Sequence, residues 1–180
     1  MAGTILVHKI LGDAARAGKS LTEIKALADE LVKNIHTVGL ALSGATVPEV
    51  GKPGFVLADD EIEFGIGIHG EPGYRKEKMQ PSKDLARELV EKLSQSVELK
   101  SGKKIGILIN GMGATPLMEQ YVFAADVANL LADAGVEVVY KKLGNYMTSI
   151  DMAGISLTFI KLDQTDWLTA LNSPVTTAAW

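Results

Sequence analysis

The chain has 180 residues, 47% hydrophobic and 22% charged, with a formal net charge of −4, which suits one domain with a sizeable core or two very small ones. Lys and Arg never run beyond two in a row and no basic stripe interleaves with aromatics, so a nucleic-acid surface is excluded. With no cysteine, disulfide and thiol chemistry are excluded and a reducing cytoplasm fits; the apolar runs are too short to span a membrane, and nothing resembles a signal peptide.

The first element is a helix over residues 4 to 17, with Ile10, Leu11, Ala14 and Ala15 on one side and Gly18 as its terminator. It starts almost at Met1, as a chain cut at a domain boundary would. Ser20 and Glu23 form a capping box for a second helix, which buries Ile24, Leu27, Ala28, Leu31 and Ile35 at helical spacing. His8 and His36 lie on or beside these helices as surface or interface residues. Val38 to Ser43 is a strand with Val38, Leu40 and Leu42 on one face and only Gly39, Ala41 and Ser43 on the other. A loop from 44 to 62 follows, punctuated by Gly and Pro. Its Asp59-Asp60-Glu61 triplet reads as solvated carboxylates rather than a metal site.

The next stretch, Glu63-Phe64-Gly65-Ile66-Gly67-Ile68-His69-Gly70-Glu71-Pro72-Gly73, organises the rest. As a strand it places Phe64, Ile66 and Ile68 on one face and Gly65, Gly67 and His69 on the other, leaving bare backbone beside the histidine. Glu71-Pro72-Gly73-Tyr74 has the residues of a type II turn. Paired with the strand at 38–43, it makes a smooth patch that a helix or ligand can approach closely. Tyr74 to Lys78 is a short charged, exposed segment. Ser82 caps a helix over 83–96 with Leu85, Leu89, Val90 and Leu93 inward. Ile105 to Asn110 is apolar on both faces, a buried central strand. The loop Asn110-Gly111-Met112-Gly113-Ala114-Thr115-Pro116 leads into a helix over 116–134, with Thr115 as N-cap and Pro116 at the first position. A Gly-rich loop there suits an anion, but the spacing is neither that of a P-loop nor of a dinucleotide fingerprint, so a tight connection is the better reading. An edge-like strand over 136–142, a polar loop, a strand over 155–162 and a short helix near 164–172 complete the chain. The sum is an α/β domain, two-layered, with a mixed sheet of five to six strands packed by helices.

Taken as a string, residues 64–73 resemble the substrate-binding subunit of dihydroxyacetone kinases, and other segments agree in order. These are Gly3 to Ile10, Ala41-Leu42-Ser43 with Thr46-Val47-Pro48, Gly51-Lys52-Pro53, Asn110 to Leu117, Thr148 to Met152 and the Trp-terminated tail. The resemblance implies that residues 1–180 are the C-terminal, substrate-anchoring domain of a two-domain subunit whose N-terminal domain is absent. It further implies that His69 adds through a ring nitrogen to the carbonyl of dihydroxyacetone, giving a hemiaminal. A neutral imidazole is a competent nucleophile near pH 7, and covalent capture separates a ketone from a polyol. Gly65 and Gly67 keep the neighbouring face clear and, with Gly70 and Glu71, are the expected substrate-binding residues; Glu71 is either an acceptor that orients the imidazole or an exposed turn carboxylate. Asn110 and Thr148 are further candidates.

The family's Gly-Gly-Gly-Ser-Gly-His loop and its acid/base Asp have no counterpart here. The isolated domain is therefore expected to be inactive, with ATP/ADP and Mg supplied by a separate nucleotide-binding domain or subunit, no cofactor or metal of its own, and a homodimer joined near 136–142. Two alternatives remain: a dihydroxyacetone-sensing paralogue that co-activates a transcription regulator, and a lipid-binding domain of the DegV type with an apolar tunnel.

Overall fold

The computed structural model of the chain describes residues 1–68, 71–178 and 180. Helices α1 (Thr4–Arg16) and α2 (Leu21–Asn34) lead into strand β1 (Ile35–Ala41). Strands β2 (Glu61–Phe64) and β3 (Arg75–Lys78), helix α3 (Ser82–Ser94), strand β4 (Lys104–Gly111) and helix α4 (Leu117–Asp133) follow, then β5 (Glu137–Gly144), β6 (Gly154–Lys161) and α5 (Thr165–Asn172). The six strands form one sheet in the order β3-β2-β1-β6-β4-β5. All pairings are antiparallel except β4 with β5, the two strands that α4 connects as a crossover must.

The period-2 alternation of the central strands sends apolar side chains both ways. Val38, Leu40, Phe64, Ile107, Leu157 and Phe159 meet Leu89, Phe123 and Val127 of α3 and α4. Leu108 and Ile160 meet Leu6, Ile10, Leu31 and Trp167 of α1, α2 and α5. Helices therefore cover both faces, making three layers where the sequence reading has two; the mixed-sheet α/β class stands. A strand as apolar as β4, buried from Ile105 to Gly111, needs cover on both sides, and that is the reason.

The capping box holds: Glu23 N–H donates to the Ser20 hydroxyl, and Ser20 N–H donates to the Glu23 carboxylate. The charged segment at 75–78 is exposed as expected, at Arg75, Lys76 and Lys78, and forms the edge strand β3. Three local readings are corrected. Ile35 opens β1 rather than ending α2. Ser82 is not a cap: Pro81 holds that position, and the Ser82 hydroxyl is buried without a hydrogen-bond partner. Thr115 does not cap α4 either. Its hydroxyl donates to Gly154 O (2.6 Å) and accepts from Gly154 N–H (2.8 Å), tying the β4–α4 loop to β6.

The small-residue face of β1 is also explained. A Cβ on Gly39 would lie 2.7 Å from the Met112 side chain and 3.1 Å from that of Met1, and one on Gly3 would lie 2.7 Å from Ile35. Methionine side chains and the start of α1 fill this face; it is not an open patch. Among the described residues, no helix is long and apolar enough to cross a membrane.

Candidate functional site

The expected strand at 63–69 pairs with β1 as anticipated, with Leu40 opposite Phe64 and Ala41 opposite Glu63, but it stops at Phe64. Gly65 takes φ +81°, a left-handed conformation that breaks the pleat. Its N–H donates a last bond to Gly39 O (2.7 Å). Phe64 and Ile66 therefore do not share a face: Phe64 enters the α3/α4 core, whereas Ile66 is buried in a separate cluster with Ala41, Met112 and Met152.

Residues 65–74 form the connection between β2 and β3, two strands paired from Glu61–Lys78 to Phe64–Arg75. His69 and Gly70, the predicted anchor and its neighbour, lie outside the described residues. The two limbs of the loop are tied at three levels. Tyr74 N–H donates to Phe64 O (2.8 Å) and Gly67 N–H to Glu71 O (3.3 Å); Gly73 N–H donates to Glu63 Oε1 (2.6 Å). The type II turn at 71–74 does not form, because Gly73 lacks the positive φ it requires. Gly73 is needed for a different reason: a Cβ there would lie 2.2 Å from Phe64 O and 2.6 Å from Glu63 Cγ. Gly65 likewise makes room for the Tyr74 ring, which would be 2.3 Å from its Cβ. Gly67 makes room for the Glu71 carboxylate, 2.0 Å from where its Cβ would be. So the structure brings Gly65, Gly67 and Glu71 together in one loop, where two of the three glycine contacts face the loop's own side chains.

Charge surrounds the base of this loop. The Arg75 guanidinium lies 4.8 Å from the Phe64 ring centre and pairs with Glu88; Lys92 stands 5.0 Å from the Tyr74 ring centre. Burial, reinforced by the Glu88 charge, raises the Tyr74 pKa. Lys76 reaches within 4.0 Å of both Glu61 and Glu63. The acidic triplet is likewise engaged, Asp60 with Lys78 at 2.9 Å.

The cluster beneath Ile66 links the loop to three others. Leu42 N–H and Ser43 N–H donate to Ala153 O, Ser149 N–H to Met112 O, and Ala114 N–H to Met152 O. Thr46 N–H donates to the Asp151 carboxylate (2.6 Å), a bond that holds the Asp151 pKa below its usual value. Of the two further candidates, Thr148 is exposed and Asn110 is structural. Asn110 is 1% exposed; its Oδ1 accepts from Tyr146 N–H and Met147 N–H at 2.8 Å, and its Nδ2 donates to Met147 O. The Gly-rich loop before α4 is filled by protein as well, since a Cβ on Gly113 would lie 2.2 Å from Ile150 O. An open apolar groove of about 460 Å³ runs between α3 and α4, lined by Leu42, Met79, Leu85, Met118 and Val122. Sequence reasoning missed Glu63, Tyr74, Met112 and Met152. Only Glu63 left a signal, as a carboxylate at a strand position that alternates with the buried Ile62 and Phe64.

Comparison with known proteins places these features in context. The model of the Dak1 domain matches residues 1–179. The dihydroxyacetone-binding subunit DhaK of a PTS-dependent dihydroxyacetone kinase from Lactococcus lactis is 64% identical over 180 residues, covering 100% of this chain and 54% of that protein. The DhaKLM operon coactivator DhaQ of the same species is 50% identical, over 100% of this chain and 55% of that protein. A solved structure of a dihydroxyacetone kinase operon co-activator, DhaQ, superposes with a TM-score of 0.91 at 49% identity, covering 97% of this chain and 54% of that one. The chain thus spans about half the length of the curated relatives it matches.

Proposed function

The chain belongs to the Dak1 domain family, and on that premise we propose that it is the C-terminal, dihydroxyacetone-anchoring domain of a two-domain dihydroxyacetone kinase subunit. The observation that carries this reading is the 64% identity, over the whole chain, to a dihydroxyacetone-binding subunit. The tied hairpin loop into which the sequence places His69 supports it. A free imidazole nitrogen attacks the ketone carbon, forming the C–N bond. The carbonyl π pair moves to oxygen, which takes a proton as the opposite ring nitrogen gives one up. The product is a hemiaminal whose terminal hydroxyl remains free for phosphorylation to dihydroxyacetone phosphate.

Gly65 and Gly67 shape the loop in which the sequence sets His69 and Gly70, and Glu71 stands over Gly67 on the same loop. Acid/base residues come from the N-terminal domain, and ATP/ADP and Mg from a nucleotide-binding domain or subunit, so this domain by itself transfers no phosphate. The working form is a cytoplasmic homodimer, for which the edge strand β5 is the joining element.

A second reading is favoured by the 50% identity and the TM-score of 0.91 to DhaQ coactivators: the same loop captures dihydroxyacetone as a signal, and the whole protein contacts a transcription regulator. One experiment addresses both. Intact-mass spectrometry of the two-domain protein with dihydroxyacetone shows an adduct of one ligand mass, lost in His69→Ala; an adduct that survives removes His69 from its role. Adding a competent phosphoryl-donor subunit then separates the readings, because only the kinase turns over.

A further inference from the structure

The substrate reading gives the buried carboxylate of Glu63 no part to play. Glu63 is 6% exposed on β2, one residue before the strand ends. An acid buried this far is held by partners or it is costly. Its hydrogen-bond partner lies in the far limb of the loop, where Oε1 accepts the Gly73 N–H at 2.6 Å, while Lys76, directly opposite on β3, stands 4.0 Å from Oε2. Gly73 in turn has no room for a Cβ, being pressed against Glu63 Cγ and Phe64 O. A hydrogen bond to a charged acceptor is about twice as strong as a neutral one, and this one spans ten residues of sequence.

We propose that Glu63 is a positioning residue, a carboxylate latch that sets the width of the neck of loop 65–74. Without it the neck retains the Tyr74–Phe64 and Gly67–Glu71 backbone bonds, which hold the two limbs at one level on each side of Gly73 but leave the Gly73 amide unpaired. The proposal rests on the substrate reading only for the consequence at His69; the latch itself is a property of the loop.

Hydrogen–deuterium exchange of the peptide spanning 65–74, read by mass spectrometry on this chain, tests the latch. Glu63→Gln, which keeps an acceptor of the same length but not its charge, exchanges only a little faster than the wild type. Glu63→Met, which fills the volume but accepts nothing, exchanges about tenfold faster there while β4 and α4 are unchanged. If Glu63→Met does not fold, Glu63→Asp, a carboxylate one methylene short, replaces it with the same expectation. Unchanged loop exchange in the acceptor-free or shortened variant overturns the latch, as does a Gln variant as loose as Met. In the two-domain protein, Glu63→Met then forms the dihydroxyacetone adduct more slowly and Glu63→Gln recovers the rate. A wild type that forms no adduct sinks the substrate reading, while the exchange result still decides the latch.

Discussion

Two glycines illustrate how one residue type serves opposite purposes. Gly65 combines φ +81° with a Tyr74 ring where its Cβ would be, whereas Gly12 sits on an exposed turn of α1 with nothing within 4 Å. A methyl group at Gly65 demands both a disfavoured backbone and a displaced ring, so Gly65→Ala lowers the unfolding free energy by about 1–3 kcal/mol. Gly12→Ala raises it by about 0.5–1 kcal/mol, by restricting the unfolded chain and favouring the helix. Urea unfolding of both variants shows opposite shifts in midpoint with similar slopes. The glycine-rich pattern was legible in the sequence as a sign of close approach. What approaches was not, because the partners of Gly39, Gly65 and Gly67 are Met112, Tyr74 and Glu71, contacts made by loops whose paths no local periodicity encodes.

Elements were read best where one amphipathic period runs for several turns. Helices α1, α2, α4 and α5 and strands β4 to β6 lie within a few residues of expectation, since their apolar stripes are long and their neighbours punctuated. The failures are at ends. Thr115 before α4 carries a good cap signature, yet its hydroxyl is taken by Gly154: a tertiary partner outcompetes the local one. The alternation through Phe64, Ile66 and Ile68 is equally convincing, but a left-handed glycine ends the strand. Asn110, at the end of β4, shows what such tertiary bonds contribute. Asn110→Leu strips the acceptor from two main-chain donors, Tyr146 N–H and Met147 N–H, and costs about 2 kcal/mol or more. Calorimetry reads this as a lowered melting temperature, and hydrogen exchange as early loss of protection in the β5–β6 loop.

For the molecule as a whole, the alkaline limb of stability is set on the α1 side of the sheet. Burial pushes the Tyr140 hydroxyl up to about 12, against about 10 in an unfolded chain. Between those values the unfolded state releases a proton that the folded state keeps, so stability falls as pH rises past 10. Burial lowers Lys9 and Lys142, so the unfolded state binds more protons just below their ordinary range, and stability there rises with pH. The expected curve climbs gently toward pH 10 and then drops, and Tyr140→Phe removes much of the drop; unfolding midpoints between pH 8 and about 11.5 measure it. A further consequence comes from the strand order. The last strand made, β6, is seated between β1 and β4, with Ile35 lying opposite Ile160. Without residues 154–161 the strands β3-β2-β1 and β4-β5 have nothing to bridge them, so the sheet closes only through pairings distant in sequence, the kind of contact that slows folding.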